Sequence, residues 1–200
     1  MKPFVIVANF KSRITSSEVD SWLERFSNFN SQTSNKEIVV CPPFTLLSIM
    51  KTSIENLKLP IRLGAQDISS FEEGAYTGEV NGKQIKEFAD FVIVGHSERR
   101  QNFLEDDEIL KKKVLRAKEF GLESIFCIQS DVTFIPADVK IVAYEPVFAI
   151  GTGNPDTPSE AERIAKKTKE KGIEKVLYGG SVTSQNVKSF TNMDNIDGVL

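Results

Sequence analysis

Eight short runs of β-branched and aromatic residues recur along the chain: Phe4–Ala8, Glu37–Cys41, Pro60–Ala65, Phe91–Val94, Ser124–Ile128, Lys140–Tyr144, Lys175–Tyr178 and Ile196–Leu200. Each is nearly continuous in apolar character instead of alternating with polar residues. That pattern belongs to strands buried on both faces, as in a parallel sheet. Between most of them lie segments with helical spacing. One runs from about Ser17 to Phe29, presenting Val19, Trp22, Leu23 and Phe26 on one side, with Ser16 or Ser17 as cap. A second runs from about Glu105 to Phe120, with Ile109, the stem of Lys113, Leu115 and Ala117 turned inward and Gly121 as its stop. A third runs from about Pro158 to Lys171, where Pro158 suits a first turn and Gly172 an end.

Strand and helix in eightfold alternation predict an α/β fold of the closed (β/α)8 barrel type, one domain over residues 1–200. The rival is an open, doubly wound sheet. That fold usually carries a Gly-x-Gly-x-x-Gly turn after its first strand, whereas here the turn is Asn9-Phe10-Lys11-Ser12, without glycine. No low-complexity segment or linker interrupts the pattern.

Composition excludes several classes. A net charge of −3, with 40% hydrophobic and 26% charged residues, gives no drive toward nucleic acid or an anionic membrane surface. No apolar run is long enough for a spanning helix, and Phe4–Ala8 is too short for a signal-peptide core. Cys41 and Cys127 sit apart in apolar strands and read as buried free thiols of a reducing compartment, so the cytoplasm is expected.

In a barrel of this kind the reacting groups stand at the carboxyl ends of the strands. Three ends carry unusual chemistry: Asn9-Phe10-Lys11 after the first, Gly95-His96-Ser97-Glu98-Arg99-Arg100 after the fourth, and Glu145-Pro146 after the sixth. Taken singly, each has a plain reading. A strand-end histidine is more often a structural hydrogen-bonder, a loop lysine is usually solvated, and a glutamate before proline can cap a turn. Their coincidence on one rim points to a site. Two glycine-rich turns, Ala149–Asn154 and Tyr178–Val182, add backbone amides able to approach an anion; Ser181 offers a hydroxyl and is expected to open a helix. Alone, either turn is a weak signal.

Taken together, these segments resemble triosephosphate isomerase. The resemblance is carried by Ala8-Asn9-Phe10-Lys11, Gly64-Ala65-Gln66, Gly74–Glu79, Val94–Arg100, Ala143–Gly153 and Tyr178-Gly179-Gly180-Ser181, in the family's order over most of the chain. It implies a TIM barrel that interconverts glyceraldehyde 3-phosphate and dihydroxyacetone phosphate through an enediolate, with no metal and no organic cofactor. It further implies Glu145 as the base and a neutral His96 as electrophile and proton shuttle, the pairing established for triosephosphate isomerase itself. Lys11 and Asn9 would face the charge growing on the substrate oxygens. Gly151 and Ser181 would hold the phosphate, and Pro146–Gly153 would close as a lid. The loop Gln66–Glu79 would be the arm of a homodimer, with Thr77 reaching the partner's site.

The chain departs from that pattern in three places. Phe148 stands where the family more often has tryptophan. The stretch Gln129–Val139 replaces a loop and a full helix. It barely reaches the length of a parallel crossover, and Pro136 spoils any helix, so an irregular crossover is expected, with Phe134 and Ile135 plugging a thinly covered wall. The sequence given stops at Leu200, in the eighth strand, where the family goes on to a Gly-Gly turn and a closing helix; a missing or truncated C-terminal helix is expected to weaken the phosphate site. These departures motivate a catalytically impaired or non-catalytic phosphate-binding homologue as the alternative. A Schiff-base aldolase would need a lysine deep in the mouth, and Lys140 falls at the wrong end of its strand.

Overall fold

The computed structural model describes residues 4–29, 35–149 and 154–200. Eight parallel strands close into a barrel in chain order: β1 (Phe4–Asn9), β2 (Lys36–Cys41), β3 (Ile61–Ala65), β4 (Phe91–Val94), β5 (Glu123–Ile128), β6 (Ile141–Tyr144), β7 (Lys175–Tyr178) and β8 (Gly198–Val199). Closure is made by β8 against β1, where Val5 stands opposite Gly198 and Ile6 opposite Val199. The eighth run is shorter than expected: only Gly198 and Val199 pair with β1 and β7, and Ile196, Asp197 and Leu200 lie outside the strand.

The strands read as continuous apolar runs because both faces are buried by different partners. Val5, Val7, Val39, Phe91, Ile93, Ile125, Ile141, Ala143 and Leu177 fill the barrel interior together with Cys41 and Cys127. Their neighbours in sequence, among them Ile38, Val40, Val92, Val94, Phe126, Val142, Tyr144, Val176 and Tyr178, face outward and pack under the helices. Each fully buried Leu, Ile or Phe contributes on the order of 1.5–3 kcal/mol. Both thiols are free and buried; burial pushes Cys41 up to about 12 and Cys127 well above its ordinary range, so neither supplies a thiolate.

The helices are α1 (Ser16–Ser27), α2 (Leu47–Asn56), α3 (Gly82–Lys86), α4 (Ser97–Asn102), α5 (Asp107–Glu119), α6 (Pro158–Glu170) and α7 (Val187–Thr191). Val19 and Leu23 of α1 are buried, with Trp22 and Phe26 packed at the edge. Its cap is Thr15, not Ser16 or Ser17, because the Glu18 carboxylate accepts from both the Thr15 N–H (2.8 Å) and its hydroxyl (2.7 Å).

The inner face of α5 also differs from expectation. It is Leu110, Lys113, Val114 and Ala117, while Leu115 is half exposed. The stem of Lys113 was expected on this face, but its charged end is buried as well. Here its ammonium is paired with Asp67 and Glu105, each at 2.5 Å, and the side chain is buried whole.

The passage from β5 to β6 is irregular, as its length and Pro136 require. Pro136 and Val139 are buried and Ile135 packs on the core, but Phe134 is 45% exposed and plugs nothing. The wall there is thin: a groove of about 750 Å³ runs between Val132–Lys140 and Lys171–Glu174. No helix among the described residues is long and apolar enough to cross a membrane.

Candidate active site

At the carboxyl ends of the strands, Asn9, Lys11, His96 and Glu145 meet around one cavity of about 170 Å³, with Gly179, Gly180 and Leu200 completing its wall. The four side chains come from β1, β4 and β6, and none of these strands is adjacent to another of the three. Only closure of the barrel brings them together.

His96 sits where β4 turns into α4. The turn needs Gly95, whose φ of +75° lies in the left-handed region and whose missing side chain leaves room for the Arg100 guanidinium. Arg100 in turn donates to the Gly95 carbonyl (2.9 Å) and the Cys127 carbonyl (3.2 Å), fastening α4 to the ends of β4 and β5. His96 caps α4: its Nδ1 accepts from the Glu98 N–H at 3.2 Å. A backbone N–H can only donate, so Nδ1 carries a lone pair and the ring's proton sits on Nε2. That Nε2 lies 3.2 Å from Glu145 Oε1, and both side chains are nearly inaccessible, at 7% and 1%.

Glu145 follows β6 directly and is held from several sides. Its Oε2 accepts from the Ser97 N–H at 2.8 Å, and its own N–H donates to the Ile128 carbonyl at 2.7 Å. Gly179 packs against it so closely that an added Cβ would stand 3.0 Å from Glu145 Cγ. A carboxylate with one oxygen on a helix N-terminus and the other on an imidazole N–H is a charged group kept in a dry place by two donors.

Lys11 takes a left-handed backbone, φ +52°, which is costly for a residue with a Cβ. It is over-determined by its neighbours: its N–H donates to Asn9 Oδ1 (2.9 Å), its carbonyl accepts from Gln66 Nε2 (3.0 Å), and its ammonium meets Glu98 Oε1 at 2.6 Å. Gln66 also donates to the Cys41 carbonyl (2.8 Å), so it ties the strained turn to β2.

The positioning roles of Glu98, Ser97 and Gln66 were not visible in the sequence. The block Gly95–Arg100 contained two of them, but nothing local indicated that Glu98 would pair with a lysine 87 positions earlier. Ser181 stands one residue beyond the cavity wall, and no helix opens there. Instead Thr183 and Asn186 satisfy each other's backbone N–H groups (2.7 and 3.3 Å), and α7 begins only at Val187. Gly151 and the centre of the expected lid lie outside the described residues. Phe148, at the start of that segment, is 64% exposed. Lys140 is at the far end of the barrel, 3.4 Å from Glu174, and cannot serve a Schiff base in this mouth. Among the described residues no three His, Cys, Asp or Glu side chains cluster as metal ligands.

Comparison with known proteins points to one family. The sequence pattern described as triosephosphate isomerase matches residues 4–134 and 131–200, the two segments meeting in the irregular crossover. Similar relatives named triosephosphate isomerase occur in Dictyoglomus turgidum, 36% identical over 234 residues and covering 100% of this chain and 93% of the relative, and in Hahella chejuensis, 36% identical over 232 residues and covering 100% and 92%. Another, from Aquifex aeolicus, is 34% identical over 228 residues, covering 98% and 92%. The chain belongs to the triosephosphate isomerase family.

Proposed function

We propose that this chain interconverts D-glyceraldehyde 3-phosphate and dihydroxyacetone phosphate by moving a proton between neighbouring carbons through an enediolate. The observation that carries this reading is the 3.2 Å approach of a protonated His96 Nε2 to the Glu145 carboxylate, inside a small cavity that also holds Lys11 and Asn9.

Each group has a task its chemistry fits. A triose carbonyl entering between Nε2 and Oε1 takes the imidazole N–H as its hydrogen-bond donor. The carboxylate so released turns to the adjacent C–H and accepts its proton. Electrons from that bond flow into the carbonyl, giving the enediolate; His96 gives its Nε2 proton to the former carbonyl oxygen and takes one from the neighbouring hydroxyl, and Glu145 returns its proton to the other carbon as the new carbonyl forms. Lys11 supplies a fixed positive charge beside the developing oxyanion, its place set by Glu98. Gly151 and Ser181 are assigned to the phosphate, by resemblance and by the position of Ser181 next to the Gly179-Gly180 wall. The reading places all of this in one domain and in the cytoplasm, in keeping with two buried free thiols.

The same reading makes the protein a homodimer through the loop 66–79. In its support, Phe71 and Tyr76 on that loop stack at 4.3 Å and remain nearly half exposed, and Thr77 beside them is exposed. Sedimentation equilibrium should give twice the chain mass of 22.3 kDa; a monomer at micromolar concentration would remove the dimer. The activity is tested by a coupled assay of the purified protein with glyceraldehyde 3-phosphate. Turnover above the uncatalysed rate is expected, and none above background would favour a phosphate-binding homologue without catalysis.

A further inference from the structure

The turn into α6 contains a buried acid that the site just described does not use. Asp156 is 8% exposed, and both of its carboxylate oxygens are engaged. Oδ2 accepts from the Tyr144 hydroxyl at 2.9 Å, and Oδ1 accepts from the Thr157 N–H at 2.7 Å. The Asp156 N–H meanwhile donates to the Tyr178 hydroxyl at 2.8 Å. Burial pushes both phenols up, Tyr178 to about 12, so both keep their protons.

What matters is where the two tyrosines sit. Tyr144 is the residue before Glu145, and Tyr178 is the residue before Gly179. The two are paired across the β6–β7 ladder, and the Gly179 N–H donates to the Tyr144 carbonyl at 2.7 Å. Strand side chains alternate, so while the tyrosines point out under the helices, Glu145 points into the mouth and touches Gly179. One residue therefore holds, from behind, the two strand ends whose relative position sets where the Glu145 carboxylate stands.

We propose that Asp156 is a positioning residue for Glu145, acting through Tyr144 to fix the end of β6 against the end of β7. This rests on the isomerase reading. It requires no contact between Asp156 and substrate. Loss of the tie lets the β6 end shift outward, and a misplaced base lowers the chemical step more than substrate binding.

The experiment measures kcat and KM of the full chain in five variants against wild type. Asp156→Ala and Tyr144→Phe should each lower kcat by about tenfold, with KM within about twofold, because a small displacement of a base costs rate. The double variant should fall no further than either single one, since both remove the same bond. Asp156→Asn, which keeps an acceptor for the Tyr144 hydroxyl, should restore kcat to within about threefold of wild type. Tyr144→Phe deletes one oxygen and keeps the ring, so the test stands even where Asp156→Ala fails to fold. Phe190→Leu is the control. Phe190 stacks on Tyr178 at 3.9 Å in the same layer, and this change should lower the melting temperature while leaving kcat in place. Wild-type kcat in Tyr144→Phe, multiplicative losses in the double variant, or an equal loss of kcat in Phe190→Leu would each overturn the inference. An inactive wild-type protein would instead remove the isomerase reading beneath it.

Discussion

The rim around Glu145 and the crossover from β5 to β6 meet at the end of β5, where the Ile128 carbonyl accepts from the Glu145 N–H, yet they are held together by different means. At the rim, buried and half-buried donors hold the candidate groups: Ser97 N–H on Glu145, Glu98 N–H on His96, Gln66 on the Lys11 turn. The bond to Glu145 is buried, so it is worth more than it would be at the surface. In the crossover the fastening is ionic and near solvent. Asp131 takes Lys167 at 2.7 Å and Arg163 at 3.0 Å, both from α6, and Lys171 donates to its carbonyl. Thr133 Oγ1 gathers the N–H groups of Gln129 and Ser130. The lesson is that a barrel can lose a covering helix on its outer wall and still keep the geometry of its mouth. The mouth depends on strand register and on backbone amides, neither of which that helix supplies.

Substitutions on each side test the contrast. The largest effect belongs to the rim: Glu145→Gln should lower kcat by between about 10² and 10⁴, the range for a positioned base, in steady-state assays. Near-normal turnover there would end the assignment. Next comes Lys11→Met, expected to lower kcat/KM by about 10² because the anion loses its fixed cation. If turnover in that variant equals wild type, Lys11 is only a partner for Glu98.

Smaller effects are expected in the crossover. Hydrogen bonds from Lys167 and Arg163 hold the Asp131 carboxyl down at about 2. Because this value lies below that of the unfolded chain, about 4, the stabilisation is complete above roughly pH 5 and fades as the pH falls toward 2. Asp131→Asn should therefore unfold at lower urea than wild type at pH 7, with the two curves converging in acid. A gap of the same size at pH 7 and pH 2.5 would show that the ion pairs are not its source. Smallest of all, Phe134→Ser should change stability by no more than about 0.5 kcal/mol, since the ring is nearly half in solvent. A cost above about 1 kcal/mol would restore Phe134 as a plug.

Much of the barrel was legible in the residues. Strand positions followed from doubly apolar runs, and seven strands, β1 to β7, began and ended within one residue of their predicted bounds; β8 alone began two residues late. The candidate rim followed from the polar groups at strand ends. The errors share a cause. Leu115 was turned inward beside Lys113 and Ala117, but the buried face runs through Leu110 and Val114 instead, and the Lys113 ammonium can be buried with its stem only because Asp67 and Glu105 neutralise it. Ser181 was expected to open a helix, but Thr183 and Asn186 offered the backbone nearer partners.

By itself, then, the amino-acid order determined everything that depends on neighbours within a turn or a strand: which segments are extended, which are helical, and which reactive side chains stand at strand ends. Tertiary structure alone decided which distant groups became partners. Lys11 with Glu98, Glu145 with the Ser97 N–H, and Tyr144 with Asp156 are set by the curvature of a closed sheet and by which side chains it buries. Burial is a property of the whole assembly, and it is burial that turns an ordinary carboxylate, imidazole or phenol into one with a fixed partner and a fixed place.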